Sequence, residues 1–230
     1  MSKIDATKPS SLVAGPVRAI GVQSRSVTGT FPDGSRYESA LERDFMLLLQ
    51  FDPAVDVYTP QPLTLRYQDA DGEARRYTPD GLIEWRSDLA LHDRRPVLVE
   101  VKYREAFEGD WRRWRSIARA ARNYARDRGW DFQIYTEREI RTPALENARF
   151  LLPYLRRTSA FETESWLLDA LQAERESTPK ALIGGLYQDK WNQAALIPIL
   201  WKLLAERRVG FDLTVPLSMQ SPIWSLREPS

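Results

Sequence analysis

Along the chain the spacing of apolar residues changes several times, and each change marks an element. Leu41, Phe45, Leu48 and Leu49 recur at intervals of three and four, which places them on one face of a helix. Ser35 and Glu38, just upstream, have the Ser-x-x-Glu form of a capping box. A helix is therefore expected over residues 38–50, stopping near Phe51-Asp52-Pro53. The period then drops to two. Val55 to Tyr58 and Leu63 to Tyr67 read as short strands, Asp69 to Gly72 as a turn, and Arg75 to Trp85 as a strand interrupted by Pro79. Pro96 to Tyr103 is the most strand-like run. In residues 111–128 the helical period returns: Trp111, Trp114, Ala118, Ala121 and Ala125 form a packing stripe that Gly129 ends. A strand at Asp131 to Tyr135 and a helix at Ala144 to Leu155 follow.

Beyond residues 156–160 the pattern predicts helices at Phe161 to Ala173, Pro179 to Gly184 and Lys190 to Glu206, then a hairpin from Val209 to Leu217. That order resembles a winged helix. Trp191, Leu196, Ile197, Leu200, Trp201 and Leu204 fit the core stripe of the third helix, and Pro198 inside it predicts a kink or break. Residues 1–30 have no sustained period and read as an irregular arm. The expected domains are a first core at 31–157 and a winged-helix-like module at 158–230.

Three pieces of the first domain converge on one chemistry. Tyr77-Thr78-Pro79-Asp80 sets a carboxylate at a bend. In Val97 to Tyr103 the alternation places Val97, Val99, Val101 and Tyr103 on one face, and Leu98, Glu100 and Lys102 on the other. A Glu and a Lys on an otherwise apolar strand are costly to bury without partners. If the strand carrying Asp80 is their neighbour, two carboxylates and a lysine meet at a sheet edge. Such oxygen donors suit Mg²⁺, and the ion suits phosphodiester cleavage. The bland alternative is a solubilising Glu/Lys pair on a surface strand. Glu42 adds weight, because at 100° per residue it falls in the sector of Leu41, Phe45 and Leu49; Glu38 is explained by the cap.

Composition narrows the field. The chain has 230 residues, no Cys and one His, so thiol nucleophiles, Cys-ligated zinc and multi-His metal sites are excluded. His92 lies in a polar connection and reads as a surface turn. Of the 33 basic residues, 27 are Arg. Arg112, Arg115, Arg119, Arg122 and Arg126 step along one helix face, a spacing that fits a phosphate backbone as well as a solvated face. Residues 159–230 carry 7 Lys+Arg against 9 Asp+Glu, leaving the slight positive excess to the first part. No P-loop pattern, membrane span or signal peptide is present, so any ATP dependence belongs to a partner and the chain reads as cytoplasmic.

The series Glu38-Ser39-Ala40-Leu41-Glu42-Arg43-Asp44-Phe45, Phe51-Asp52-Pro53-Ala54-Val55, Gln61-Pro62, Tyr77-Thr78-Pro79-Asp80 and Glu100-Val101-Lys102 resembles the TnsA endonuclease subunit of heteromeric bacterial transposases over residues 20–155. The resemblance implies an α/β (α+β) fold with a restriction-endonuclease-like mixed-sheet core. It implies a catalytic set of Glu42, Asp80, Glu100 and Lys102, with the three acids binding Mg²⁺, for which Mn²⁺ can substitute. It further implies cleavage at the 5′ ends of double-stranded transposon DNA, beside a TnsB-like DDE transposase that handles the 3′ ends. The C-terminal module would contact a TnsC-like AAA+ ATPase. Two rivals stay open: a free-standing restriction or repair nuclease, and a non-catalytic adaptor that recruits the ATPase.

Overall fold

The computed structural model describes residues 39–88 and 94–226, together with the backbone of Ala6–Thr7, Gly29–Thr30 and Arg36–Tyr37. Ser35, Glu38 and His92 lie outside the described residues. The chain divides into two compact units, Met1–Ile140 and Arg141–Ser230. The junction comes earlier than the 157/158 boundary expected from sequence. Its cause is packing within the second unit, where Phe150 sets its ring edge-on to Trp201, 5.2 Å between centroids.

In the first unit the elements are β1 (Ala6–Thr7), β2 (Gly29–Thr30), β3 (Arg36–Tyr37), α1 (Ala40–Phe51), β4 (Val55–Pro60), β5 (Thr64–Gln68) and β6 (Ala74–Tyr77). They continue as β7 (Gly81–Trp85), β8 (Val97–Val101), α2 (Arg104–Gly109), α3 (Trp111–Arg126), β9 (Asp131–Tyr135) and α4 (Glu137–Ile140). The stretch read as an irregular arm thus holds two strand segments: β1 pairs with β5, and β2 with β3. Helix α1 starts later than the Ser35 spacing suggests, because Arg36–Tyr37 is extended and paired. Ser39 is the N-cap; its hydroxyl accepts the Glu42 N–H at 3.1 Å and lies 3.3 Å from Glu42 Oε1. Ser39-Ala40-Leu41-Glu42 is a second Ser-x-x-Glu, one turn further on.

The central sheet has the order β4-β7-β8-β9, with β8 and β9 parallel and the other pairs antiparallel. The run expected as one interrupted strand is split by Pro79: β6 joins a separate sheet, β1-β5-β6, while β7 enters the central one. Proline has no N–H to give a ladder, so the chain changes sheets there and Asp80 falls at the crossing. Between β8 and β9 the chain crosses through α2 and α3, as a parallel pair requires. Leu98 is fully buried with Ile117, Ala120, Ala121 and Tyr124 of α3 and with Leu63, Leu65 and Tyr77. On the opposite face, Phe45 of α1 meets Tyr135, the register partner of Val101, at 4.7 Å. The period-two reading of β8 therefore holds. Each fully buried large side chain here contributes roughly 1.5–3 kcal/mol.

In the second unit, α5 (Pro143–Leu151) and a 3₁₀ turn (Leu152–Arg156) precede α6 (Phe161–Glu174), β10 (Glu176–Ser177), α7 (Pro179–Leu186), α8 (Lys190–Ala205), β11 (Val209–Phe211) and β12 (Ile223–Ser225). The strands form an antiparallel sheet, β10-β12-β11, the element order of a winged helix. The hairpin is wider than expected. Val215 and Leu217 cannot pair as its second strand because Asn147 takes their backbone groups: its amide donates to Val215 O at 2.9 Å and its carbonyl accepts Leu217 N–H at 2.8 Å. Helix α8 runs unbroken through Pro198. Trp201 is in the core, but Trp191, in the first turn of α8, is 83% exposed. Among the described residues no helix is long and apolar enough to cross a membrane.

Candidate active site

Asp80 sits immediately before β7, whose Gly81 is the register partner of Val99 on β8. This pairing brings the acid to the Glu100 end of β8. Asp80 Oδ2 accepts the Val101 N–H at 2.7 Å. Its main-chain oxygen accepts the Gln61 N–H at 2.9 Å and the Tyr58 hydroxyl at 3.2 Å. Gln61 is itself buried and holds a left-handed φ of 45°, an uncommon backbone state for a residue with a side chain. Gly81 is required by contact: a Cβ there would stand 2.2 Å from the Tyr58 ring.

Glu100 is 4% exposed. The Tyr77 hydroxyl donates to Glu100 Oε2 at 2.6 Å, and Lys102 Nζ lies 3.8 Å from Oε1. Lys102 is half-exposed and sits over the Trp114 ring, 4.7 Å from its centroid. Glu42 stands on the half-buried edge of α1, close enough for its charge to act on Asp80 and Tyr58. Burial pushes the Asp80 carboxyl well above the ordinary aspartate value, with the charges of Glu100 and Glu42 adding; the Val101 N–H and Lys102 oppose this. Burial also raises the hydroxyls of Tyr58 and Tyr77, with nearby acids adding, so both stay protonated donors.

The four expected residues therefore lie within electrostatic reach of one another: Asp80 bonds the backbone of β8, Lys102 pairs with Glu100 of that strand, and the Glu42 charge acts on Asp80. Among the described residues no group of three or more acidic, His or Cys side chains stands close enough to hold an ion between them. The donor set is nonetheless hard oxygen, and burial together with the like charges of Glu100 and Glu42 raises Asp80, an environment a divalent cation relieves.

On α3 the five arginines are exposed along one face. Arg112, Arg115 and Arg119 line a cleft of about 720 Å³ whose other wall is the β5–β6 turn, Tyr67 to Ala70. Trp111 departs from expectation: it is 57% exposed instead of packed, and the buried stripe of α3 runs through Ile117, Ala118, Ala121, Tyr124 and Ala125. The first turn of α3 lies at the end of the core, and Phe107 of α2 packs on Trp114, 4.9 Å away, leaving Trp111 outside.

Two family models match in order: "TnsA-like endonuclease N terminal" over residues 52–137, and "TnsA endonuclease C terminal" over residues 139–213. The chain belongs to the TnsA endonuclease family. No curated protein matches it. The N-terminal TnsA match contains Asp80, Glu100, Lys102 and the whole Arg stripe, while Glu42 precedes it. The TnsA C-terminal match opens at 139, beside the unit junction at 140/141. Sequence reasoning gave no part to Tyr58, Gln61 and Tyr77. Gln61 and Tyr77 stood within quoted motifs, but nothing in a sequence says that their backbone and hydroxyl reach the two acids. Buried Asp44, paired to Arg43 at 3.1 Å, was likewise invisible.

Proposed function

We propose that this chain is the metal-dependent endonuclease subunit that cuts the 5′ ends of a transposon in the bacterial cytoplasm. It works beside a TnsB-like DDE transposase, and its C-terminal winged-helix-like unit docks a TnsC-like AAA+ ATPase. The observation that carries the reading is the Asp80 carboxylate held by the Val101 N–H, which ties it to the strand bearing Glu100 and Lys102.

Glu42, Asp80 and Glu100, once drawn closer together than they stand here, are the residues that would hold Mg²⁺ or Mn²⁺. When bound, the ion supplies Lewis-acid stabilisation of the charge that develops at the cleaved phosphate. The chain's own residues do the rest. Tyr77 fixes the Glu100 carboxylate, and the ring of Trp114 steadies Lys102. The Lys102 ammonium donates to a phosphate oxygen or orients the attacking water. The Arg112–Arg126 row holds the flanking backbone by charge and bidentate hydrogen bonds.

The test joins the purified chain to its transposase and transposon-end DNA. Lys102→Ala should abolish 5′-strand nicking while leaving 3′-end processing by the transposase intact. Full nicking by that variant overturns the site assignment. Calorimetric titration with Mn²⁺ provides a readout independent of cleavage: binding by the native chain and its loss in Glu100→Gln is the expected pair.

A further inference from the structure

Trp111 and Trp114 are one turn apart on α3 and have different surroundings. Trp114 is packed between Phe107 and the Lys102 ammonium. Trp111 presents most of its ring to solvent, inside the cleft shared with Arg112, Arg115, Arg119 and the β5–β6 turn. The Arg115 guanidinium stands 5.6 Å from the Trp111 ring centroid, a distance at which cation and ring attract. The acid on the opposite wall, Asp69, is matched by Arg75 at 2.9 Å, so it offers little repulsion to an anion entering the cleft.

A row of arginines needs only phosphates, and a paired duplex supplies them. An open indole beside that row needs a flat π-face, which duplex bases hide within their stack. One helical turn, about 5 Å along the axis, separates Trp111 from the tryptophan that covers Lys102. We infer that the Trp111–Arg115–Arg119 cleft takes an unpaired nucleotide of the DNA next to the cleaved phosphate, with the base stacked on Trp111 and the phosphates held by the arginines. This inference rests on the endonuclease reading and adds a specificity: the enzyme engages ends that fray or open at the cut.

Binding of the full chain is measured by fluorescence anisotropy in EDTA, so that cleavage plays no part. One DNA is a fully paired duplex; the other is identical but has a three-nucleotide single-stranded gap. Trp111→Ala should weaken gapped-DNA binding about tenfold, the scale of one lost base–aromatic stack, and leave duplex binding within about twofold. Trp111→Phe should restore most of the loss. Arg115→Glu should weaken both DNAs and lower the salt slope by about one. A 2-aminopurine placed in the gap should be quenched by the native chain and not by Trp111→Ala.

Equal effects of Trp111→Ala on the two DNAs, or unchanged 2-aminopurine emission, overturn the inference. So does loss of transposase assembly with gapped-DNA preference intact, which would assign Trp111 to a protein contact. Failure of the endonuclease reading looks different: the native chain would then bind neither DNA, whatever stands at position 111.

Discussion

Each unit of this chain carries acidic residues away from water, and the two solve the problem in opposite ways. In the second unit Glu164 is buried among cations: Lys202 Nζ lies 2.6 Å from Oε1, Arg208 pairs with the other oxygen, and the Ser159 hydroxyl donates at 2.5 Å. Burial alone would raise its carboxyl, but the hydrogen bonds from Lys202, Ser159 and Arg208 outweigh this and lower it to about 2. In the first unit Asp80, Glu100 and Glu42 gather with Lys102 as the cation within ion-pair reach of Glu100, and Asp80 is pushed up instead. Two cations on one acid make a structural clamp. Three acids gathered with Lys102 beside Glu100 make a site that is stable only because the fold holds it, the condition in which perturbed groups mark function.

The largest expected effect breaks this contrast in the first unit. On the proposed reading, Asp80→Asn should cut DNA cleavage by about a thousandfold, the several kcal/mol of transition-state charge stabilisation. It should leave the melting temperature equal or higher, since a repelled charge is removed while the Val101 N–H keeps an acceptor. A melting temperature that falls with activity would mean the acid is structural. Glu164→Gln should do the reverse, costing about 2–4 kcal/mol of stability by removing the buried acid from Lys202 and Arg208, which then keep Glu206, with the chemistry untouched once the chain is folded. Calorimetry of both variants reads the difference.

Acidity sharpens the same comparison. The Glu164 carboxyl titrates lower in the folded chain than its ordinary 4.5, so its stabilisation is present above about 4.5 and is lost as pH falls towards 2. Asp80 titrates above its ordinary 3.8, so its charge weakens the folded state as pH rises past that value, and acid relieves the penalty. A calorimetric scan series from pH 6 to 3 should therefore show Glu164→Gln converging on the native chain, whereas Asp80→Asn should lose its advantage.

Smaller effects come from the supports. Gly81→Ala drives a methyl into the Tyr58 ring and should cost about 1–3 kcal/mol by overpacking; urea melts check it. Tyr77→Phe removes the donor to Glu100 and should cost about 1 kcal/mol, visible as a small shift in the urea midpoint.

Much of the first unit was legible because its signals are local. The alternation in β8, the Arg row on α3 and the ordered motifs around Asp80 and Glu100 all depend on spacing, which sequence preserves. What escaped depends on the ends of elements and on contacts between them. Helical spacing places Trp111 and Trp191 on apolar stripes, yet both stand in first turns, beyond the neighbouring core. Two Ser-x-x-Glu patterns follow one another before and into α1, and the pairing of β3 with β2 decides which one caps. A lone side chain, Asn147, takes the backbone groups that a regular hairpin would have used. The clamp on Glu164 joins residues 159, 164, 202 and 208, a set that no local pattern connects.

One feature of the site reaches into its motion. Asp80 is fastened three times: its carbonyl to the backbone of Gln61 and the hydroxyl of Tyr58, its carboxylate to the backbone of Val101. It thus rivets the β4–β5 corner to the middle of the central sheet. Segments that open by themselves are those whose bonds stay within one loop; this corner cannot fray without pulling on β8. The amides of Gln61 and Val101 should exchange with solvent as slowly as the sheet interior, so that this acid cluster is the last part of the unit to come apart and not the first.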